Sequence, residues 1–368
     1  MATPIKTEEE LYWSQYDFTK IPFDDIVSVG QRTLLYRDLF SISWLLGRFC
    51  NYKCSYCWPY ARSDKKDHRP TALNLATIDE IKKQARENGF NSFHFSLSGG
   101  EPTFHPGYLD MLQHLVDDVE NTNYTSVHMT TNMSRNLKWH QEYCDIVAQV
   151  HRASITASFH SEFAKKEEFA DKLLFCMEHD VQVTVNMVLV PEWFDRDWDV
   201  AMYFHKRGIN VTLKPQSDPT ASFVVDGYTK EQLVMMQNGM PQRDYTKVLQ
   251  KETGIKVVRP KPKVGMWKMD AQNGDDKSVP PVMQVEFQDS KGKKWYIDQA
   301  ERFNAFNFNK FKGWECTSGF KGIIIREPDG SIKRSYSCAD EPLGYVESGF
   351  KLFDAPKVCI SESCVSSA

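Results

Sequence analysis

Between residues 40 and 220 the chain alternates short β-rich runs with longer amphipathic stretches, and this alternation constrains its fold more than any other feature. The β-rich runs are 40–46, 92–98, 125–132, 153–160, 181–190 and 210–215. Between them, helical spacing is read at 77–89, 106–119, 137–150, 163–180 and 195–208. Thr77 and Asp195 are expected to cap two of these helices, while Asn88-Gly89 and Gly208 are expected to stop two. Strands alternating with helices imply right-handed β-α-β units and a parallel sheet. A closed eight-repeat barrel typically needs about 250 residues, so six repeats predict an α/β fold with a partial (β/α)6 barrel.

The texture changes after Pro219. Residues 228–253 read as a polar helix, and 256–281 form a Pro- and Lys-rich stretch without period. Two alternating runs, 282–297 and 322–337, each turn about a glycine and predict β-hairpins. The expected organisation is an N-terminal extension (1–35), the partial barrel (36–220), a linker or insert with helix and hairpin (221–312) and a small β-hairpin-rich unit (313–368). A net charge of −4 argues against a global grip on nucleic acid or anionic membrane. No apolar run approaches the roughly 20 residues that cross a bilayer. The first residues lack the apolar core of a signal peptide. A cytoplasmic location is therefore expected, and in a reducing compartment the nine cysteines are read as metal ligands or buried thiols rather than disulfides.

Those cysteines fall into three groups. Cys144 and Cys176 lie in helical stretches among apolar neighbours and read as small hydrophobes. Cys50, Cys54 and Cys57 share one polar loop with the spacing C-x3-C-x2-C. Structural zinc takes four ligands, commonly in C-x2-C pairs, and no fourth cysteine or histidine lies close by in sequence. A cubane iron–sulfur cluster normally takes four thiolates; three would leave one iron open to an outside ligand. Cys316, Cys338, Cys359 and Cys364 form the last group, compatible with a second cluster or a zinc site.

The loop "CNYKCSYC", with an aromatic residue before its last cysteine, resembles the signature of the radical S-adenosylmethionine (SAM) enzymes. "SLSGGEP" (96–102) matches that superfamily's Gly-Gly-Glu-Pro motif at the end of the second strand. The resemblance covers residues 36–220. It implies that Cys50, Cys54 and Cys57 hold a [4Fe-4S] cluster whose fourth iron is chelated by SAM. One electron would then cleave SAM to methionine and a 5′-deoxyadenosyl radical that abstracts a substrate hydrogen. Gly99, Gly100, Glu101 and Pro102 would bind SAM, Glu101 as an anion for its ammonium group, with Tyr56 against the adenine. Ser158 is expected at the ribose or carboxylate of SAM. Asn132, His160, Lys214 and Gln216 are expected at the same mouth by their position at strand ends.

The run 313–338, a cysteine, a hairpin and another cysteine, resembles the auxiliary-cluster appendage called the twitch domain, a shortened form of the SPASM extension. It implies an auxiliary [4Fe-4S] cluster on Cys316, Cys338, Cys359 and Cys364 that assists electron transfer. The sequence departs from that pattern in the gap between Gly330 and Cys338 and in a final C-x4-C pair. The enzyme class implied is an oxidoreductase-type radical SAM enzyme reduced by flavodoxin or ferredoxin. Peptides, protein side chains, sugars and nucleotides all remain open as substrates. The rival readings are a non-catalytic iron–sulfur electron-transfer protein and a zinc-dependent nucleic-acid module. His94, His105 and His128 are weighed as general acids or bases, with His105 read as a packing residue.

Overall fold

The structure is a computed structural model of the 368-residue chain. It describes residues 23–31, 39–66, 68–219, 224–229, 232, 236, 285–297, 312–313, 315–326, 329–336, 338 and 340–362. Most of the helix read at 228–253, the Pro- and Lys-rich stretch 256–281 and Cys364 lie outside these residues.

In chain order the elements are β1 (Ile26–Gln31), β2 (Leu39–Leu45), α1 (Thr71–Glu87), β3 (Ser92–Ser98) and α2 (Tyr108–Asp117). Next come β4 (Tyr124–Thr131), α3 (Leu137–Val147), β5 (Arg152–Phe159), α4 (Lys166–Glu178), β6 (Gln182–Leu189), α5 (Phe194–Lys206) and β7 (Asn210–Pro215). Strands β2 to β7 pair in sequence order, all parallel, as six strands joined by five helices. This is the partial β/α barrel that the alternation predicts.

Alternate residues decide which face of the sheet each side chain meets. Phe40, Ile42, Trp44, Phe93, Phe95 and Val127 point outward and are buried against the helices, joining Ile78, Ile81, Met111 and Tyr143 in one core. The other parity faces the lumen and is only partly covered. Cys144 and Cys176 are fully buried in the helix layer, where the hydrogen bond with Cys144, and then burial, raise the Cys176 thiol well above its usual range.

Two expected caps are corrected. Helix α1 starts at Thr71, behind Pro70, whose fixed φ suits a helix start. Thr77 is therefore buried within the helix, its hydroxyl donating to the Leu73 carbonyl at 2.8 Å. Asp195 lies inside the first turn of α5, where a carboxylate meets the positive end of the helix dipole, and Trp193 holds the cap position. The stops stand as read: Gly89 and Gly208 take φ of +88° and +78° just past their helices.

The later strands are β8 (Val285–Asp289), β9 (Lys294–Ile297), β10 (Glu315–Cys316), β11 (Gly322–Ile325), β12 (Ser331–Lys333), β13 (Gly344–Tyr345), β14 (Gly349–Phe350) and β15 (Lys357–Val358). Both expected hairpins form: β8 pairs antiparallel with β9, and β11 with β12. Strand β11 also pairs parallel with β2, so β11 to β14 continue the barrel sheet beyond its first edge. This C-terminal part docks on α1, where Gln84 donates to the Phe350 carbonyl at 3.0 Å and accepts from the Leu352 amide at 2.7 Å.

Candidate active site

Parallel strands place the chain segments that follow them at one end of the barrel, and the cysteine loop leaves β2 there. A backbone bridge between Phe49 and Ser63 closes the loop. The Cys50 amide donates to the Ser63 carbonyl (3.2 Å), and the Ser63 amide to that of Arg48 (2.7 Å). Inside it, the Cys57 amide turns back onto the Cys54 carbonyl at 3.1 Å. Cys54 is buried, whereas Cys50 and Cys57 are half-buried. Burial pushes all three thiols up, Cys54 to about 12, with the Glu162 carboxylate and the other two cysteines adding to that shift.

The Gly-Gly-Glu-Pro turn lies directly against this loop. The Gly100 amide donates to the Gly47 carbonyl (2.9 Å) and the Glu101 amide to that of Phe49 (2.6 Å). A Cβ on Gly99 would overlap the Gly47 carbonyl, and one on Gly100 those of Arg48 and Phe49. The close approach that these glycines permit here is thus between two chain segments. Glu101 is 1% exposed. Its carboxylate accepts from the Thr103 amide and hydroxyl (3.3 and 2.6 Å), the Thr131 hydroxyl (2.7 Å) and the Asn132 amide (2.6 Å). It ties the end of β3 to the end of β4, while burial raises its pKa against the pull of those donors. Pro102 is buried at the start of the short turn that follows.

Asn132 is brought onto the cysteine loop: its side-chain amide donates to the Asn51 carbonyl oxygen at 3.0 Å and lies 3.9 Å from Cys50 Sγ. His160, just past β5, bonds through Nδ1 to the Tyr56 hydroxyl at 2.7 Å, and the two rings stack at 5.9 Å. Burial depresses His160 to about 4, so the imidazole is neutral. Ser158 sits on the lumen face of β5 beside Asn186 of β6. Lys214 is exposed on β7, and the Gln216 amide is held by the Tyr228 hydroxyl at 2.7 Å. Asn132, His160 and Tyr56 therefore gather at the cysteine loop; among the described residues no hydrogen bond links Lys214 or Gln216 to it.

Sequence reading missed three anchors of this loop. Glu162 accepts the Ser55 amide on both oxygens (3.1 Å each) and the Ser55 hydroxyl at 2.7 Å. The Ser134 hydroxyl accepts from Asn51 Nδ2 at 3.1 Å, and the Trp58 indole donates to Ser217 at 3.0 Å. Each partner is far away in sequence. The only local signal was that Ser55 and Asn51 are polar residues inside a cysteine-rich turn.

At the other cysteine group, Cys316 lies on β10 opposite Lys357 of β15, and Cys359 follows two residues later. Cys338 contacts the Ser335 hydroxyl at 3.2 Å. The Arg334 guanidinium, ion-paired to Asp340 and donating to the Ser318 carbonyl at 3.1 Å, lies within electrostatic reach of Cys316 and Cys338. Cys364 is outside the described residues. His105 is a packing residue: Nδ1 accepts the Gly107 amide (3.1 Å) and Nε2 meets Asn74 (3.0 Å).

Residues 44–204 match the sequence profile of the Radical SAM superfamily. That stretch is similar to a radical SAM domain. Solved structures with a similar course include "Native anSMEcpe with bound AdoMet", at 16% identity and TM-score 0.46. "Native anSMEcpe with bound AdoMet and Kp18Cys peptide" follows at 17% and 0.44. Each comparison covers 85% of this chain and 79% of that one. No curated protein matches the chain.

The residues of the cysteine loop fit an iron–sulfur cluster. Among the described residues, no three His, Cys, Asp or Glu side chains converge on a point that would hold a single metal ion. A cubane is bound differently, one thiolate to each iron, and Cys50, Cys54 and Cys57 offer three soft ligands from one anchored loop. No helix among the described residues is long and apolar enough to cross a membrane.

Proposed function

We propose that the protein is an oxidoreductase-type radical SAM enzyme in which Cys50, Cys54 and Cys57 hold a [4Fe-4S] cluster with one iron left to SAM. When bound, the cluster supplies the electron that splits SAM into methionine and a 5′-deoxyadenosyl radical, which takes hydrogen from the substrate. One observation carries this reading. The Gly-Gly-Glu-Pro turn is hydrogen-bonded along the segment entering the cysteine loop, through Gly100 to Gly47 and Glu101 to Phe49. The two motifs on which the resemblance rests therefore share one surface at the barrel mouth.

The chain's own residues have separable tasks. The four donors on Glu101 fix the ends of β3 and β4 and so orient Asn132 toward Cys50. His160 holds the Tyr56 phenol, which keeps the ring over the mouth as a stacking face for adenine. Ser158 offers a hydroxyl to the ribose or carboxylate of SAM. Lys214 and Gln216 stand at the same mouth as further cofactor-binding candidates.

We further assign residues 36–220 as the catalytic barrel and 313–368 as an auxiliary-cluster unit of twitch type. Cys316, Cys338, Cys359 and Cys364 would be its ligands. The nearness of Cys316 and Cys338 to the Arg334 cation supports this, because a guanidinium favours the thiolate form that binds iron. A fully ligated cluster has no open iron and serves electron transfer, with flavodoxin or ferredoxin as the reductant.

The test is anaerobic reconstitution with iron and sulfide, followed by SAM and dithionite. We expect 5′-deoxyadenosine and methionine in equal amounts. A protein that takes up its iron yet forms no 5′-deoxyadenosine is an electron-transfer protein, and the enzyme reading fails.

A further inference from the structure

A closed β/α barrel fills its interior with layers of bulky branched side chains. This one does not. From Ser41 to Lys214, the lumen-facing positions of β2 to β7 hold mostly Ser, Thr, Asn, Gln and His, and none holds Asp or Glu. Most of these side chains are partly exposed, so the lumen is a space lined by short hydrogen-bonding groups rather than a packed core.

Its one deep cation is Arg152, at the start of β5, away from the mouth. Nε and Nη2 both donate to Gln182 Oε1, at 3.0 and 2.5 Å. Among the described residues no carboxylate pairs with it. The guanidinium is close enough to disfavour protonation of both His94 and His128. Each of these histidines bonds a serine through Nδ1 at 2.8 Å, His94 to Ser126 and His128 to Ser154. Burial is the main cause that keeps both neutral, at about 3 and 4. Each therefore leaves Nε2 without a protein partner among the described residues. A single guanidinium without a carboxylate partner, beside neutral donors and among strand positions of β2 to β7 that hold no acidic group, is the electrostatic shape of an anion seat.

We infer that the lumen binds a small hydroxyl-rich molecule bearing one anionic group, a phosphate or a carboxylate, with that group on Arg152 and the rest extending toward the mouth. The inference rests on the enzyme reading above and gives it a substrate class. From Ser126, level with Arg152, to Asn132 is six residues of strand and loop, roughly 20 Å at ~3.3 Å each, part of it taken up by the Arg152 side chain. What is left is the length of a nucleotide or a substituted sugar phosphate. On this face of β2 to β7, Leu45 and Val188 stand isolated among polar neighbours and make no continuous apolar wall for a hydrophobic side chain.

Isothermal titration of the reconstituted, SAM-loaded protein tests this with two matched pairs: uridine 5′-monophosphate against uridine, and glucuronate against glucose. At least one anion should bind ten times or more tighter than its neutral counterpart, and which one does so separates phosphate from carboxylate. Arg152→Gln should weaken that anion by about 10- to 100-fold, the loss expected for a charge-assisted bond. Arg152→Lys, keeping the charge, should recover most of it. The inference is overturned if neither anion outbinds its counterpart, or if Arg152→Gln leaves the preference intact. It is also overturned if inorganic phosphate binds as tightly as the nucleotide, which means an adventitious ion only. SAM cleavage on the same samples keeps the readings apart: cleavage without anion preference sinks only the lumen inference, and anion preference without cleavage sinks only the enzyme reading.

Discussion

Glu162 brings a negative charge to the cysteine loop and occupies the Ser55 amide, which would otherwise be free to hydrogen-bond a cluster sulfur. Both effects favour the oxidised cluster, since hydrogen bonds to sulfur and lower net negative charge raise its potential. Glu162→Gln should therefore raise the midpoint potential of the loop-bound cluster, by on the order of tens of millivolts. Potentiometric titration followed by electron paramagnetic resonance measures this, and an unchanged or lowered potential contradicts it. At Gly100 the constraint is steric. A methyl there meets two backbone carbonyls that cannot rotate away. Gly100→Ala should cost about 1–3 kcal/mol, the usual range for overpacking. It should also lower the iron bound per chain, because the Gly-Gly-Glu-Pro turn must lift off the loop. Calorimetry and an iron assay read the two effects; full iron at an unchanged melting temperature would refute the account.

Between elements, Gln84 is the clearest tie of the C-terminal strands to the barrel. Gln84→Ala removes the acceptor of the Leu352 amide and the donor to Phe350. Hydrogen exchange at Leu352 should quicken by roughly tenfold, as expected for one lost bond, while amides in β3 and β4 stay protected; equal change in both would mean global destabilisation. The elements themselves were largely legible. The runs 92–98 and 210–215 coincide with β3 and β7 because period-2 alternation is a local property of a one-face-buried strand. The early start of α1 was not legible: the stretch after Pro70 is short of charge, so the helical face reads clearly only from Thr77 onward. The parallel pairing of β11 with β2 was invisible for a different reason. Gly322 meets Ser41 across most of the chain, and nothing near either residue encodes the other. The same holds at the site. The thiols and the Gly-Gly-Glu-Pro turn are sequence-local and were found, whereas Glu162 reaches Ser55 from 107 residues away.

For the molecule as a whole, five histidines, His94, His105, His128, His140 and His160, are held neutral by burial at about 3 to 4. Unfolded, each takes up a proton near pH 6.5. Between these values the unfolded state binds more protons, so stability is complete above about pH 6.5 and falls as pH drops toward 4. A melting temperature that declines steadily across that window is expected, and one flat from pH 7 to 4.5 contradicts it. The central claim, that the three-cysteine loop leaves an iron for SAM, has a more direct test. In a variant with Cys316, Cys338, Cys359 and Cys364 all changed to Ala, only the loop-bound cluster should remain. Its reduced electron paramagnetic resonance signal should change shape when SAM is added, because a new ligand joins one iron. A signal that SAM leaves unaltered would contradict the account.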